Sequence, residues 1–337
     1  MSENSRLPRV LDGNYVRRAG GGIGLLLVGA ASLVSSSPAE ALTFNLTYDP
    51  SVTGAPPGFI PAFKDAISFY QNTYTDPITI NMNVGWGEIN GSPISPGFLG
   101  ESAPFLQSGL TYAQVRDALI SDAKSFDDAM AVASLPVTDP TGGRGFLMPS
   151  AESKALGLGS GFPLDGFVGF SSAETWTFDP NNRAVPGAFD FIGVAEHEIS
   201  EIMGREAALG TTNLEPLDLF RYSAPGIRAL TPGSNQYFSI DGGVTNINTF
   251  NGPGGGDLGD WKGLTADSYD AFLGSGVEQP VSAGDIREMD VIGYDLAVPE
   301  PGSLALLSTA LFGLGFLRRG RARSRRCHDC HGAPDHP

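Results

Sequence analysis

Residues 195–205 read Ala-Glu-His-Glu-Ile-Ser-Glu-Ile-Met-Gly-Arg and contain the only histidine that lies outside the last ten residues of the chain. A helix turns about 100° per residue, so His197 and Glu201 project from one face with Glu198 beside them. The opposite face carries apolar side chains only, those of Ala195, Ile199, Ile202 and Met203. We therefore predict a helix over residues 189–203, ended by Gly204, that packs on a core and presents its ionisable face to a cleft.

This ionisable face carries the residue types that a hydrolytic metal centre uses. Such a centre needs about three protein ligands, an open position for water and a carboxylate that takes a proton from that water. His197 and Glu201 are the candidate metal ligands, and Glu198 is the candidate general base. The alternative is that Glu201 and Arg205, four residues apart, form an ordinary surface ion pair.

The helix resembles the zinc-binding helix of metallopeptidases, in which His-Glu-x-x-His supplies two ligands and a base. Glu201 stands where the second histidine would be, and Gly204 matches the glycine three residues farther on, as in the metzincins. The third metzincin ligand would fall on Ala207, so the match to that pattern is incomplete at two ligands.

A third ligand follows only by analogy with gluzincin-type peptidases, in which a downstream carboxylate completes the site. The analogy favours Asp218, which lies 17 residues beyond Glu201. The competing carboxylates are Glu206, Glu215 and Asp190. Zinc binds carboxylate oxygen at nearly the same distance as imidazole nitrogen, although one histidine with two carboxylates also suits other divalent ions.

A longer stretch, about residues 63–296, resembles a group of bacterial secreted PEP-CTERM metalloproteases. It contains the helix motif at 197–205, Asp-Leu-Phe-Arg-Tyr at 218–222 and Gly-Tyr-Asp at 293–295. The resemblance implies zinc, peptidase activity and an α+β zincin-like fold with a mixed sheet, an active-site helix and a loop-rich C-terminal lobe. Tyr222 or Tyr294 would stabilise an oxyanion, or else pack in the core. Met289 would form either a Met-turn below the metal or part of the core.

Both ends of the chain carry targeting patterns. Residues 1–41 contain the pair Arg17-Arg18, a short apolar run and Ala-Glu-Ala, an order that predicts a secretory signal peptide. Residues 298–326 contain Pro-Glu-Pro, an apolar run at 304–317 and an arginine cluster, an order that resembles the PEP-CTERM sorting signal of Gram-negative bacteria.

The sorting-signal resemblance implies processing by an exosortase-type membrane enzyme. The apolar run would insert into the membrane transiently, because it is short for a permanent span and the arginines hold it from crossing. Residues 327–337 would stay in the cytoplasm, and the body would reach the cell surface, the extracellular matrix or the medium. The alternative is a permanent tail anchor.

The body between these ends is acidic. Residues 42–299 hold 11 basic and 31 acidic side chains, an excess that repels phosphate backbones and excludes nucleic-acid binding as a function. A structural calcium ion is a further expectation, although the glycine-rich stretch at 251–260 departs from EF-hand spacing and fits a plain flexible loop. Both cysteines lie in residues 327–330, so the body is not a disulfide scaffold.

The remaining pattern supplies the supporting elements. Periodicity predicts helices at 61–71, 112–131 (one helix or a pair, with Thr111 as N-cap) and 283–294, and strands at 77–86, 166–172, 174–178, 218–222 and 237–240. These features favour a secreted or surface metalloendopeptidase that hydrolyses peptide bonds through a metal-activated water. The alternative is a non-catalytic matrix or surface adhesion protein built on a peptidase-like fold.

Overall fold

A computed structural model describes residues 41–159, 161–263 and 266–297. The α-helices in these ranges are α1 Phe59–Thr73, α2 Tyr112–Asp122, α3 Phe126–Ser134, α4 Ser150–Ala155, α5 Phe191–Met203 and α6 Ala283–Val291. Two short 3-10 helices cover Pro50–Gly54 and Pro216–Phe220.

The strands are grouped in several small sheets. They are β1 Thr43–Tyr48, β2 Thr79–Trp86, β3 Glu88–Ile89, β4 Ser92–Pro93, β5 Gly100–Pro104, β6 Leu106–Leu110, β7 Gly145–Pro149, β8 Gly166–Phe170, β9 Trp176–Thr177, β10 Phe189–Asp190, β11 Asn213–Leu214, β12 Arg221–Ala224, β13 Ile227–Arg228, β14 Tyr237–Phe238 and β15 Asn248–Thr249. The architecture is thus mixed α/β.

The sheet that supports the candidate site has the strand order β1-β2-β8-β5. Strands β1, β2 and β8 run parallel, whereas β5 pairs antiparallel with β8 and forms the edge, with Gly100 opposite Phe170. Alternation along β2 buries Ile80, Met82 and Val84 on one face, as period-two packing requires. The mixed sheet expected from the sequence is present.

Helices α1 and α5 pack against this sheet through an aromatic core. The ring centroids of Phe59 and Phe170 lie 4.9–5.8 Å from each other and from Phe191 at the start of α5. Tyr70 of α1 adds a polar link, because its hydroxyl donates to the Glu196 carbonyl of α5 at 2.5 Å. Each fully buried ring contributes about 1.5–3 kcal/mol, so the position of α5 is strongly fixed.

Most of the elements that periodicity predicted are confirmed. The first helix, the strand at 77–86 and the helix pair at 112–131 are α1, β2 and α2 with α3. Thr111 caps α2 as predicted, since its hydroxyl accepts the Gln114 amide at 3.3 Å. The site helix begins at Phe191 rather than two residues earlier, because Phe189 and Asp190 pair as β10 with β9.

The strand prediction at 218–222 is wrong in its first half. A 3-10 helix covers Pro216–Phe220, and β12 begins only at Arg221. Proline fits the first turn of a helix, and the Asp218 carboxylate accepts the Glu215 amide at 2.9 Å, which closes the turn. Strands β1, β5, β6 and β7 were not predicted.

The segment that follows α5 is rich in loops but well packed. Strands β12, β13, β14 and β15 form a small antiparallel sheet, and Trp261 is buried beside Phe250 with ring centroids 4.9 Å apart. The stretch at 251–260 is a loop whose two ends are joined, since the Asn251 amide donates to the Asp260 carbonyl at 2.7 Å, and residues 253–257 between them are exposed. Ser282 caps α6 with a capping box.

None of the helices in the described ranges is long and apolar enough to cross a membrane. The predicted signal peptide, the sorting segment at 298–326 and the tail at 327–337 lie outside the described residues, apart from Ala41.

Candidate metal centre

Helix α5 forms the floor of the site. Its predicted apolar face, Ala195, Ile199, Ile202 and Met203, is fully buried. The helix ends at Gly204, whose φ of 127° is open to glycine and strained for other residues. The Arg205 amide donates to the Ser200 carbonyl at 3.0 Å, which satisfies the last turn and directs the Arg205 side chain back along the helix.

His197 is held by one ring nitrogen and presents the other to two carboxylates. Its Nδ1 lies 2.7 Å from the Ser268 carbonyl oxygen, and since a carbonyl only accepts, Nδ1 carries the proton. The Nε2 atom lies 3.3 Å from Oε1 of Glu201 and 3.5 Å from Oδ1 of Asp260. We call these three residues the His-Glu-Asp group.

The geometry of the His-Glu-Asp group fits a divalent ion. One ligand atom from each residue lies within 4.8 Å of the others, and no other set of three such residues does so in the described part of the chain. In a tetrahedral zinc site with bonds of about 2.0–2.1 Å, neighbouring ligand atoms are about 3.3 Å apart. The backbone carbonyl on Nδ1 is the partner that a metal-bound histidine commonly has.

Asp260 reaches the group from the far end of the glycine-rich stretch. Its carbonyl accepts the Asn251 amide at 2.7 Å, and the next residue, Trp261, is buried and donates its indole N–H to Asp285 at 2.7 Å. Asp260 was not among the ligands predicted from the sequence. It lies 59 residues beyond Glu201, and no periodic pattern links it to the helix. An aspartate directly before a large aromatic residue was the available signal.

Arg205 is a buried counter-ion of the group rather than a surface partner of Glu201. Its guanidinium contacts Oδ1 of Asp260 at 2.5 Å and Oε1 of Glu201 at 3.3 Å. Its Nε donates to the Ser200 hydroxyl at 2.7 Å, and its centre lies 4.5 Å from the ring centroid of Tyr269. The ion pair that was the simpler alternative does exist, but it is shared between both candidate carboxylate ligands.

These contacts keep Glu201 ionised. Burial works against its negative charge, but His197, Arg205 and a 2.8 Å hydrogen bond from the Ser102 hydroxyl lower the pKa of Glu201 to about 2. Burial and Arg205 disfavour a charged imidazole, yet the facing carboxylates raise the pKa of His197 above its ordinary value. In the absence of another cation, a proton therefore binds Nε2 more readily than it binds an ordinary imidazole.

Glu198 lies in the same cleft, against the edge strand β5. A Cβ atom on Gly100 would stand 2.6 Å from Oε1 of Glu198, so the glycine leaves the space that this carboxylate fills. Burial, followed by the adjacent Glu201 carboxylate, raises the pKa of Glu198 well above its usual range. A carboxyl of raised pKa beside a ligand group has the properties of a proton acceptor and donor.

The cleft has a volume of about 620 Å³ and opens to solvent above the group. One wall is the segment at 97–102, which includes the start of β5, and the other comprises Gly256, Asp257, Asp260 and residues 270–273. His197, Glu198 and Glu201 lie on its floor with Asp260 beside them.

The structure does not bring Asp218 to this group. Its Oδ2 accepts the amides of Glu215 at 2.9 Å and Ala208 at 3.2 Å, so the side chain closes the 3-10 helix. Burial raises the pKa of Asp218 to about 7. Asp260 occupies the position that the gluzincin analogy gave to Asp218.

The other candidates have separate places. Arg183 Nε donates a bifurcated hydrogen bond to Asp190, at 3.0 Å to Oδ1 and 2.9 Å to Oδ2. Glu206 lines the cleft, whereas Glu215 lies beside Asp218 and is buried.

Neither tyrosine lines the cleft. The Tyr294 hydroxyl donates to the Met203 carbonyl at 2.7 Å, and Tyr222 is buried with its hydroxyl 3.4 Å from that of Ser134. Met289 is fully buried within the hydrophobic core. Tyr222, Tyr294 and Met289 therefore pack in the interior, which was the alternative to a role at the metal centre.

Comparison with known proteins identifies the C-terminal end. The model for the PEP-CTERM protein-sorting motif matches residues 297–321. No curated protein and no solved structure matches the chain. The motif marks the chain as an exported bacterial protein sorted to the surface or exterior of a Gram-negative cell, and it is a recognition signal for exosortase processing.

Proposed function

We propose that the protein is an exported metal-dependent endopeptidase of zincin-like design. The observation that carries the proposal is the convergence of His197 Nε2, Glu201 Oε1 and Asp260 Oδ1 at the floor of an open cleft that also contains Glu198. A set of one imidazole and two carboxylates fits zinc or a harder divalent ion.

The residues of the cleft have distinct tasks in this proposal. His197, Glu201 and Asp260 hold the ion, which when bound lowers the pKa of a coordinated water and polarises a carbonyl. Glu198 takes the proton at a carboxylate oxygen and returns it to the leaving amine nitrogen. Arg205 and Ser102 fix the two oxygen ligands, and the Ser268 carbonyl fixes the imidazole.

Strand β5 supports a peptide as the substrate. It is the edge of its sheet in the described residues and forms one wall of the cleft. An extended peptide binds such an edge by adding a strand, because the edge offers unpaired backbone groups. That geometry would place a backbone carbonyl of the peptide above the His-Glu-Asp group.

The site of action is outside the cytoplasm. We propose that cleavage near residues 299–301 separates the body from the arginine-rich end and delivers it to the surface, the matrix or the medium. Intact mass of the exported species tests this, since a product that still contains residues 318–326 would mean a retained anchor.

Glu198→Gln tests the chemistry. The variant should keep the metal and lose about 10²–10⁴-fold in peptide cleavage, because the amide cannot accept the proton. Metal content of the purified protein and turnover of a quenched peptide library give the two measurements.

Two outcomes would contradict the proposal. Equal turnover by wild type and Glu198→Gln would remove the mechanism. A wild-type protein that holds only weak calcium, unaffected by His197→Ala, would favour the matrix or adhesion role instead.

A further inference from the structure

We infer that the cleft selects a polypeptide segment that carries basic residues next to a bulky apolar side chain. This inference rests on the proposed function, since it names the substrate class of the same site. It comes from two features that the His-Glu-Asp group does not require: the charge of the cleft walls and a pair of exposed phenylalanines.

The first feature is an excess of carboxylates. Eight lining residues are acidic: Glu101, Glu174, Glu198, Glu201, Glu206, Asp257, Asp260 and Asp270. His197 is the one lining residue of the described chain that can carry a positive charge, and no lysine or arginine lines the cleft.

Known cations do not offset this charge. A divalent ion together with the Arg205 guanidinium supplies three positive charges. Even with Asp270 left out, seven lining carboxylates outnumber these three positive charges. A cleft with low-dielectric walls focuses such a field, so cationic segments are attracted and acidic or phosphorylated segments are repelled.

The second feature is an aromatic rim. Phe98 on one wall and Phe272 on the other are both 54 % exposed, unlike the phenylalanines of the core. Leu99 and Leu273 continue the apolar strip on each side. Exposed aromatic side chains across a cleft provide contact area for a bulky apolar residue at a small cost in side-chain entropy.

The glycine-rich stretch lies close to the ring of Phe272. A Cβ on Gly256 would lie 3.3 Å from Cζ of Phe272 and 2.9 Å from Nδ2 of Asn251. A residue without a side chain is therefore favoured at this point of the wall. Gly256 also has a φ of 70°, which other residues adopt only with strain. The stretch at 251–260 thus supplies Asp260 and leaves room for the Phe272 ring beside Gly256.

Binding of four labelled peptides to the zinc-loaded Glu198→Gln protein tests the inference without requiring cleavage. The peptides carry Lys or Glu on both sides of a central Phe or Ala. We expect the Lys-Phe peptide to bind at least about tenfold more tightly than the Glu-Phe peptide at low salt, with a smaller difference near 0.5 M salt, where the Debye length is only about 4 Å.

Matched variants separate the two features. The double variant Phe98→Ala with Phe272→Ala should reduce the preference for the Phe peptide over the Ala peptide about tenfold, as expected for partial burial of one ring. Phe126→Ala is the control, because Phe126 is exposed and lies outside the cleft, and it should leave the preference unchanged. Glu101→Gln with Glu174→Gln should weaken the preference for Lys, and Asp65→Asn with Asp117→Asn makes the same change of net charge elsewhere.

The outcomes distinguish this inference from the proposed function. Equal affinity for Lys and Glu peptides, or equal losses in cleft and control variants, would overturn the inference even if the wild type cleaves peptides. Selective binding by the Glu198→Gln protein without any cleavage by wild type would uphold the inference and overturn the peptidase.

Discussion

Two groups of buried carboxylates in this molecule have different surroundings. The His-Glu-Asp group faces a cleft and includes an imidazole with a buried guanidinium behind it. The second group, which we call the terminal cluster, lies between the ends of α1, α2 and α6 and comprises Asp76, Asp122, Asp290 and Asp295.

Carboxylates of the terminal cluster accept hydrogen bonds from a backbone amide and from a hydroxyl. Asp76 accepts the Asp295 amide at 3.0 Å, and Asp290 accepts the Ser125 hydroxyl at 2.6 Å. Lys124 forms an ion pair with Asp295, but its side chain is 64 % exposed. Among the described residues no three of these ligand atoms converge as those of the His-Glu-Asp group do.

The difference shows in the charge state of Glu201, but not in that of Asp260, whose pKa burial raises. Burial is the leading influence in both places, but His197 and Arg205 lower the pKa of Glu201 to about 2. In the terminal cluster, burial followed by the Asp295 charge raises the pKa of Asp76 and of Asp122 to about 7. Convergent donors with fixed positive partners therefore distinguish the candidate metal centre from the terminal cluster.

The largest expected effect comes from removing the cation of each group. Arg205→Met leaves Glu201 and Asp260 buried without their partner and should lower the free energy of unfolding by about 3–5 kcal/mol in metal-free protein. Lys124→Met removes an exposed partner and should cost about 0–1 kcal/mol. Urea unfolding measures both, and a similar loss in the two variants would contradict the comparison.

The next effect concerns metal affinity. Asp260→Asn should weaken zinc binding by at least about 100-fold, because it removes one of three anionic or imidazole donors, and lower pH should weaken binding in wild type by protonating His197. Asp290→Asn and Asp218→Asn are the matched controls, and both should bind zinc as wild type does. Titration with a competing chelator measures the affinities, and a loss in Asp218→Asn instead would restore that residue as a ligand.

A smaller effect is expected from Gly100→Ala. The added methyl group would meet Oε1 of Glu198 and displace the carboxylate by a few tenths of an ångström or more, while the ligands stay in place. Peptide turnover should fall about tenfold because misplaced catalytic groups lose rate steeply. Zinc content should be unchanged, and full activity would mean that Glu198 does not need this position.

The last prediction concerns the pH dependence of stability, which is spread over several groups. Burial raises the pKa of Asp76, Asp122 and Asp290 to about 7, so the folded state binds more protons than the unfolded state between about pH 4 and 7. This stabilisation is fully present below about pH 4 and is lost as pH rises through 7. The Tm should fall over that range by about 2–4 °C for each kcal/mol lost.

Asp290→Asn provides the internal check on the pH profile. It removes one group whose protonation is linked to folding, so its profile should be flatter than that of wild type. A Tm that rises from pH 5 to pH 8 in wild type would contradict the assignment.

The sequence predicted the parts of the site that lie on one helix. The spacing of His197, Glu198 and Glu201 and the apolar residues opposite them follow from the helical repeat, and Gly204 marks the end of α5. It did not predict β5, because Gly100–Pro104 contains no alternating apolar pattern. That strand nevertheless forms a wall of the cleft.

What the sequence by itself determined is therefore local: the face of α5, the capping of α2 and the sorting motif at the C-terminal end. The tertiary structure alone decided which distant residues join that face, namely Asp260 in place of Asp218, and that Arg205 turns inward to both carboxylates. The physical reason is that helical periodicity is set by neighbours three and four residues away. Convergence across a cleft depends on where buried side chains such as Trp261 anchor a loop, and no short-range pattern encodes that position.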